Sequence, residues 1–246
     1  MSPKSKPAAA DRRARSEQMK AEREAAARAS ERRTRLLVAV AVIAAVSLVG
    51  VAVALSRSPS TASAAVPTGV EAPAGGVTVG DDSAPVVLDE WVDFHCPACK
   101  VFVEEFGSTI AEQVEAGTLQ MTYHPLSFVT PTGSKLAANA FGCAVDQGKT
   151  VEYHDAVFAA QGSEADEFTN EQLIEIGAGV GIDNEEFASC VNDGQYEGWV
   201  QSVAEAAVNQ GVTRTPTLFL DGEEIDPLPQ DAEALREAIE AAAGQE

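Results

Sequence analysis

Two cysteines three positions apart, Cys96 and Cys99, are the residues of this sequence best suited to chemistry. They follow an apolar run from Pro85 that predicts a buried strand. Pro97 suits the first position of a helix, where a missing N–H group is no loss, so we expect Cys96 at a helix N-terminus. The helix dipole and free N–H groups there lower the pKa of a thiol, and the thiolate is the nucleophile. Cys99, one turn further on, can attack a mixed disulfide formed by Cys96, which indicates redox chemistry.

The same spacing also allows other uses of this cysteine pair. The sequence has no second Cys-x-x-Cys and no His-x-x-x-His with which to complete a structural zinc site. A copper or zinc site formed by His95, Cys96 and Cys99 is a further alternative. A purely structural disulfide between the two cysteines would close too short a loop to stabilise the fold much. Redox chemistry is the interpretation that we adopt.

Charge divides the 246-residue chain into two regions within a total of −21. Residues 1–35 contain eleven Lys and Arg against five Asp and Glu, whereas residues 58–246 contain five against 33. A domain this acidic repels nucleic acid, and its surface resists self-association. We therefore predict no nucleic-acid partner.

Residues 36–55 form a nearly uninterrupted apolar segment. A helix of about 20 residues spans the hydrocarbon core of a bilayer, which is about 30 Å thick. Three arginines lie just before the segment, and this positive charge predicts that the N-terminus stays inside the cell. We therefore predict a single-pass protein of the cell membrane, with residues 1–35 as a basic cytoplasmic tail and the catalytic domain outside the cytoplasm.

A cleaved signal peptide is the alternative interpretation of this N-terminal region. Residues 62–64, Ala-Ser-Ala, resemble a cleavage site, but the apolar segment and the charged region before it are longer than in a typical signal peptide. An uncleaved transmembrane helix is therefore favoured. Residues 56–76 are rich in Ser, Thr, Pro, Ala and Gly, which predicts a flexible linker. The folded domain is then predicted to be residues 77–246.

Apolar periodicity predicts a mixed α/β domain. The predicted order is strand–strand–helix–strand, then a helical block at about residues 132–210, then strand–strand–helix. Without that block, the pattern is a small sheet covered by helices. The predicted strands are residues 77–80, 86–94, 119–126, 217–220 and 223–225, and the predicted first and last helices are residues 97–115 and 230–243.

Four segments of the domain carry a resemblance to a known family. Residues 94–99, Phe-His-Cys-Pro-Ala-Cys, are similar to an active-site turn, and residues 80–86 to the approach to a central strand. The helical block resembles a family-specific insertion, and residues 214–219, Arg-Thr-Pro-Thr-Leu-Phe, resemble a cis-proline loop. Together, over about residues 76–246, they resemble the membrane-anchored DsbA-like thiol–disulfide oxidoreductases of the thioredoxin superfamily. The resemblance implies a thioredoxin-like fold with a helical insertion between the two sheet halves.

The resemblance also implies roles for particular residues. Cys96 holds the exposed sulfur of an active disulfide and is attacked by a substrate thiolate, and Cys99 is the leaving and resolving thiol. A cis bond before Pro216 leaves the backbone of Thr215 free to pair with an extended peptide. A trans proline that opens a strand is the alternative. The residues expected to support the site and bind substrate are His95, Pro97, Ala98, Thr215 and Pro216.

Glu90 is predicted to be a buried acid close to the two cysteines, where the family carries such a residue. An acid between apolar neighbours on one strand face would be desolvated, and its pKa would rise. Such a carboxyl group can exchange a proton with Cys99. A solvated Glu90 is the alternative, with Asp89 or Asp93 in the same role.

The residue between the active-site proline and the second cysteine is Ala98, whereas strongly oxidising relatives have a histidine there that stabilises the thiolate. Ala98 offers neither charge nor a side-chain hydrogen-bond donor, which leaves the strength of the oxidant open. His95 either supplies part of the missing charge or has no role. The sequence also leaves open whether Lys100 points to solvent.

Cys143 and Cys190 lie on two predicted helices of the insertion, each beside apolar residues. We predict a structural disulfide between them, since an even number of cysteines outside the cytoplasm favours pairing. Two separate buried thiols are the alternative.

These observations together predict an extracytoplasmic thiol–disulfide oxidoreductase. We expect it to donate disulfides to exported proteins that are reduced or unfolded, without a cofactor. The resemblance implies that a quinone-linked membrane protein, either DsbB-like or a vitamin-K-epoxide-reductase homologue, reoxidises it. The alternatives are a reductase or isomerase on the same scaffold and, in a different class, a metal-handling or chaperone module with the cysteine pair as ligands.

Overall fold

The computed structural model describes residues 65–162 and 167–244. The predicted tail and transmembrane helix lie outside these residues, as does the first part of the predicted linker. Within the described ranges, no helix is long and apolar enough to cross a membrane.

Residues 65–76, the second part of the predicted linker, pack against the domain in the structure. Val70 is buried, and the backbone N–H of Thr68 donates a hydrogen bond to Asp146. The indole N–H of Trp199 donates to the carbonyl oxygen of Gly75. A few apolar side chains and two long-range hydrogen bonds thus fix a segment whose composition is typical of a linker.

In the described part of the chain, five strands form one mixed sheet in the order β1-β3-β2-β4-β5. Strand β2 is central: it runs parallel to β3 and antiparallel to β4, and the outer pairs are antiparallel. Its β-branched and aromatic residues suit a strand with neighbours on both sides. The strands are β1 Val77–Val79, β2 Val86–Val92, β3 Leu119–Pro125, β4 Thr217–Leu220 and β5 Glu223–Glu224.

Seven helices are described, and five of them, α2 to α6, lie between β3 and β4 as the predicted insertion. The α4 helix begins with a capping box formed by Thr169 and Gln172, and α6 ends at Gly211 in the left-handed conformation. The helices are α1 Pro97–Glu115, α2 Gly133–Asp146, α3 Thr150–Ala160, α4 Asn170–Gly179, α5 Glu185–Asp193, α6 Glu197–Gln210 and α7 Ala232–Ala243.

Helix packing attaches the insertion to both the active-site helix and the sheet. Helices α1 and α7 contact each other and both contact the sheet, so they cover the same face. Helix α3 packs on α1, and α6 packs on β3. Within the insertion, a disulfide joins Cys143 on α2 to Cys190 on α5. The insertion is therefore held both to the sheet and to itself.

Candidate active site

Strand β2 and helix α1 place the two active-site cysteines. Cys96 is the N-cap residue of α1, in an extended conformation, and Pro97 is the first helical residue. The backbone N–H of Cys96 donates to the carbonyl oxygen of Asp93, which closes the turn after the strand. Cys99 is fully buried, and only 7% of the surface of Cys96 is exposed. Cys96 is therefore less exposed than predicted. Both are free thiols in this structure.

The loop before β4 lies directly against the first cysteine. The Sγ atom of Cys96 is 3.3 Å from the carbonyl oxygen of Thr215, to which the protonated thiol donates a weak hydrogen bond. The peptide bond between Thr215 and Pro216 is cis. Because proline has no backbone N–H, nothing at position 216 competes for the sulfur.

The two thiols have opposite acidities. A hydrogen bond from the Cys99 thiol is the largest of the effects that lower the pKa of Cys96 to about 6. A hydrogen bond from the side chain of Thr215 and hydrogen bonds from the backbone N–H groups of Ala98 and Cys99 act in the same direction, against the effect of burial. For Cys99, burial and then the neighbouring Cys96 raise the pKa well above its ordinary value. Near neutral pH, Cys96 is therefore a thiolate and Cys99 a protonated thiol.

Glu90 lies in the middle of β2, paired with Tyr123 and Leu218 on the two adjacent strands. Its carboxyl group is buried, and its Oε1 atom has no hydrogen-bond partner among the described residues. Burial, only partly opposed by His154, raises the pKa of Glu90 to about 7. The charge of Glu90 is also one of the effects that raise the pKa of Cys99. This acid can therefore hold or release a proton near neutral pH.

The neighbouring acids have other functions in the fold. Asp89 points to the other side of the strand, where its Oδ1 lies 2.8 Å from Nε2 of His124. Asp93 is fully buried, and it ends β2 two residues earlier than predicted. Its carboxylate accepts hydrogen bonds from the backbone N–H groups of His95, Phe128 and Val129 and from the hydroxyl of Ser134.

His95 is buried and uncharged. Its Nε2 accepts a hydrogen bond from the backbone N–H of Phe168, 3.3 Å away, so this nitrogen carries no proton. Burial lowers the pKa of His95 below its ordinary value. A neutral His95 supplies no positive charge to Cys96, which argues against that interpretation.

Three residues to which the sequence assigned no role also contact the site. Lys100 does not point to solvent: its Nζ donates to the carbonyl oxygens of Phe158 and Gln161, at the end of α3. The Gln161 side chain donates to the backbone of the active-site turn, and His154 lies beside Glu90. No local pattern could have revealed these contacts, because they join segments far apart in sequence.

An open groove runs beside the first cysteine. Its volume is about 530 Å³, and its lining is largely apolar. Val101, on the adjacent turn of α1, is 63% exposed. The groove can accept apolar side chains of an extended peptide. It is lined by Ala98, Val101, Phe102, Glu105, Phe106, Pro216, Leu228, Pro229 and Gln230.

Metal binding by the cysteine pair was the alternative to redox chemistry. Among residues 65–162 and 167–244, no group of three or more His, Cys, Asp or Glu side chains is placed to hold a metal ion.

Thiol–disulfide exchange is the reaction that this geometry can perform, because one sulfur is reactive and the second, one turn away, can leave or resolve. The fold and the site therefore define the class as thiol–disulfide oxidoreductases. A family model described as Thioredoxin matches residues 73–241. The chain belongs to that family.

Similar proteins of known type agree with this class. The reduced form of the disulfide bond oxidoreductase DsbG from Mycobacterium tuberculosis is 26% identical, with a TM-score of 0.62 over 70% of this chain and 89% of that one. The probable disulfide bond formation protein D of Bacillus anthracis is 26% identical over 66% of this chain and 76% of its own length. These similarities support thiol–disulfide oxidoreductase activity of the DsbA type.

A third relative is much longer than the matched region. The Na(+)/H(+) antiporter NhaA 3 of Salinispora tropica is 28% identical over 66% of this chain, and the match covers 24% of the antiporter. The chain thus spans about a quarter of the length of that curated relative.

Proposed function

We propose that this protein donates disulfide bonds to reduced proteins outside the cytoplasm. The observation that carries the proposal is the position of Cys96 at the N-terminus of α1 and against the cis-proline loop, where hydrogen bonds from the Cys99 thiol and from backbone N–H groups lower its pKa to about 6. A stabilised thiolate favours the reduced enzyme, so its disulfide is the stronger oxidant.

The proposed reaction starts from the Cys96–Cys99 disulfide. A substrate thiolate attacks Sγ of Cys96, the bond to Cys99 breaks, and a mixed disulfide forms. Cys99 leaves as a thiolate and takes a proton from the carboxyl group of Glu90. A second substrate thiolate then attacks the substrate sulfur of the mixed disulfide, and Cys96 leaves as a thiolate. The substrate loses two electrons, and the enzyme gains two.

Substrates are proposed to bind in the groove beside Cys96 as extended chains. The exposed Val101 and the apolar groove walls favour peptides with apolar side chains next to the reacting cysteine. Such segments are accessible in proteins that have not yet folded, which fits exported, reduced substrates.

Location outside the cytoplasm and membrane anchoring through residues 36–55 remain proposals from the sequence. The disulfide between Cys143 and Cys190 supports an oxidising compartment. A protease added to intact cells should release the domain by cutting within residues 56–64, because residues 65–76 are packed. Protection of the domain would contradict the topology, and release without protease would favour signal cleavage.

Reoxidation is proposed to depend on a quinone-linked membrane protein, either DsbB-like or a vitamin-K-epoxide-reductase homologue. Each disulfide that the enzyme donates leaves its two cysteines reduced, and their two electrons must then pass to an oxidant. The reduced domain should lose its free thiols in membranes that contain such a partner and a quinone, but not in membranes without the partner. Equal rates in the two membranes would contradict this part of the proposal.

A reductase or isomerase is the second candidate, and one observation favours it. Among the residues that the structure describes, no charged side chain is one of the effects that lower the pKa of Cys96: position 98 is alanine, His95 is neutral and Lys100 is bound to carbonyl oxygens. Equilibration of the Cys96–Cys99 pair with glutathione decides between the two directions. A potential above about −200 mV supports donation, whereas one near about −270 mV, as in thioredoxin, supports reduction.

A further inference from the structure

A cavity of about 250 Å³ lies behind the active site, between helices α1 and α3 and the sheet. Its walls are mostly apolar, with Ile110, Val114 and Met121 among the lining residues. Two buried polar side chains, Glu90 and His154, also line it. Each presents an atom with no hydrogen-bond partner in the described part of the chain, Oε1 of Glu90 and Nε2 of His154. Buried polar atoms are normally paired, so this pair requires an explanation.

His154 is held rigidly among aromatic rings. Its ring contacts those of Tyr123, Phe158 and Phe94, with centroids 4.6, 5.0 and 5.8 Å away. This packing leaves the imidazole only 2% exposed. The ring is therefore fixed in one orientation, with one nitrogen toward Glu90 and the other toward the surface.

The two ring nitrogens of His154 contact two different acids. Nδ1 lies 2.9 Å from the Oδ1 atom of Asp155, whose side chain is 57% exposed. Because a carboxylate only accepts, Nδ1 carries the proton of the neutral ring. Nε2 then has a free lone pair, and it lies 4.0 Å from Oε2 of Glu90. That gap is longer than a hydrogen bond, and the adjoining cavity has room for water to bridge it.

We propose that His154 carries protons between Glu90 and the protein surface, with Asp155 as the outer acceptor. The path runs from the buried acid across the cavity to Nε2, through the imidazole, and from Nδ1 to the exposed carboxylate. His154 touches neither sulfur and acts through Glu90, so it is a positioning residue of the reaction. The inference rests on the proposed thiol–disulfide exchange.

The proton balance of the exchange shows where this path is used. When Cys99 resolves a mixed disulfide, its thiol loses a proton to the Glu90 carboxylate, and its sulfur attacks Cys96 and releases the partner thiolate. Glu90 can take that proton only when its carboxyl group is ionised, and with a pKa of about 7 it is still protonated in many molecules near neutral pH. His154 accepts the proton of such a Glu90 at Nε2 and releases the proton of Nδ1 to Asp155 and then to water, which leaves Glu90 free to accept from Cys99. In substrate oxidation, the same steps run in reverse.

Other ionisable groups face the path and contribute to its pH dependence. Cys99 is coupled to Glu90 from helix α1, and Tyr123 faces Glu90 from β3. Glu115, also on α1, lies with Asp155 in the lining of the cavity, and both are exposed. A negative charge at this position attracts protons toward the path.

The experiment uses the reduced full-length protein and an aromatic disulfide that releases a coloured thiolate. The first release reports attack by Cys96, and the second reports resolution by Cys99, which requires loss of the Cys99 proton. Three variants are compared with the wild type over a range of pH: His154→Gln, Asp155→Asn and His124→Gln. His124 is the matched control, because its ring is also paired with a carboxylate, that of Asp89, but it is half-buried and does not line the cavity.

His154→Gln should slow the second release about tenfold near pH 7, less than the roughly 10²–10⁴-fold effect of a direct general acid or base, and leave the first release unchanged. The difference should shrink at high pH, where hydroxide removes the proton directly. Asp155→Asn should slow the second release less, and His124→Gln should change neither. In His154→Ala, added imidazole should restore the second release, whereas pyrrole, a ring of similar shape without a basic nitrogen, should not.

Three results would overturn the inference: an unchanged second release in a folded His154→Gln protein, equal slowing of both releases, or rescue by pyrrole as well as by imidazole. Should His154→Gln fail to fold, an unchanged second release in Asp155→Asn, at an exposed position, would overturn it as well. A wild-type protein that releases no thiolate in either phase would instead contradict the proposed function.

Discussion

The side-chain amide nitrogen of Gln161 lies 2.7 Å from the carbonyl oxygen of Phe94 and donates a hydrogen bond to it. The same nitrogen is 3.3 Å from the carbonyl oxygen of Cys96. From the other direction, Lys100 on α1 binds the backbone carbonyl of Gln161 at 3.1 Å. The end of α3 and the active-site turn are thus fixed to each other by reciprocal contacts.

Replacement of Gln161 by Ala should loosen the active-site turn. Two backbone carbonyl oxygens lose a donor, so we expect the free energy of unfolding to fall by about 1–2 kcal/mol. Denaturant unfolding of the oxidised protein measures this change. Gln201→Ala is the control, because its amide bonds only the exposed Glu205. Equal stability of the two variants would contradict a structural role for the Gln161 contacts.

Local signals explain what the sequence could predict. Helix α1 spans Pro97–Glu115, as predicted, because Pro97 fixes its start and its apolar residues recur at helical spacing. The cis-proline loop was accessible only through the family resemblance, whereas the helical block was predicted from periodicity and the resemblance identified it as an insertion. Strand β2 ends at Val92, earlier than predicted, because Asp93 turns the backbone by binding N–H groups from a distant loop.

The contacts that tune the site could not be predicted. His154 has no special position in the sequence, and its place beside Glu90 depends on how α3 packs on α1. The packing of residues 65–76 likewise depends on Trp199, far along the chain. Such long-range pairs leave no periodic pattern.

The two active-site cysteines should differ in their reaction with an alkylating agent. Cys96 should react far faster near neutral pH, and its rate should fall to half at about pH 6, because only the thiolate reacts. Cys99→Ala should trap substrates as long-lived mixed disulfides, and Cys96→Ala should trap almost none, since Cys99 is fully buried and protonated. Mass spectrometry of the labelled and trapped proteins measures both effects. Equal trapping by the two variants would reverse or abolish the assigned roles.

Glu90 should make the oxidised protein less stable as the pH rises. Its pKa is about 7 in the folded protein against an ordinary value of 4.5, so between these values the folded state holds a proton that the unfolded chain has lost. The free energy of unfolding should therefore fall as the pH rises from about 4.5 to 7, by about 3 kcal/mol in total. Glu90→Gln, which stays neutral, should lack this fall and be the more stable protein above pH 7.

The control for this measurement is Glu175→Gln, at an exposed position on α4. Its stability should follow that of the wild type at every pH. If the difference between Glu90→Gln and the wild type were the same at pH 4.5 and pH 8, Glu90 would not be the titrating group.

The disulfide between Cys143 and Cys190 should stabilise the fold without taking part in catalysis. It joins residues 47 positions apart, and in the chain-entropy model a loop of that length stabilises the folded state by about 4 kcal/mol. Both residues are buried in the insertion, away from the groove beside Cys96.

A variant with both Cys143 and Cys190 changed to Ala should melt at a lower temperature, yet it should still oxidise a dithiol peptide at a temperature where it is folded. Calorimetry and peptide oxidation, measured on the same preparation, test the two parts separately. The Cys96→Ala, Cys99→Ala protein is the matched control, and it should show the opposite pattern, with little change in melting temperature and no oxidation. An unchanged melting temperature with lost turnover in the Cys143, Cys190 variant would identify this pair as a second redox centre.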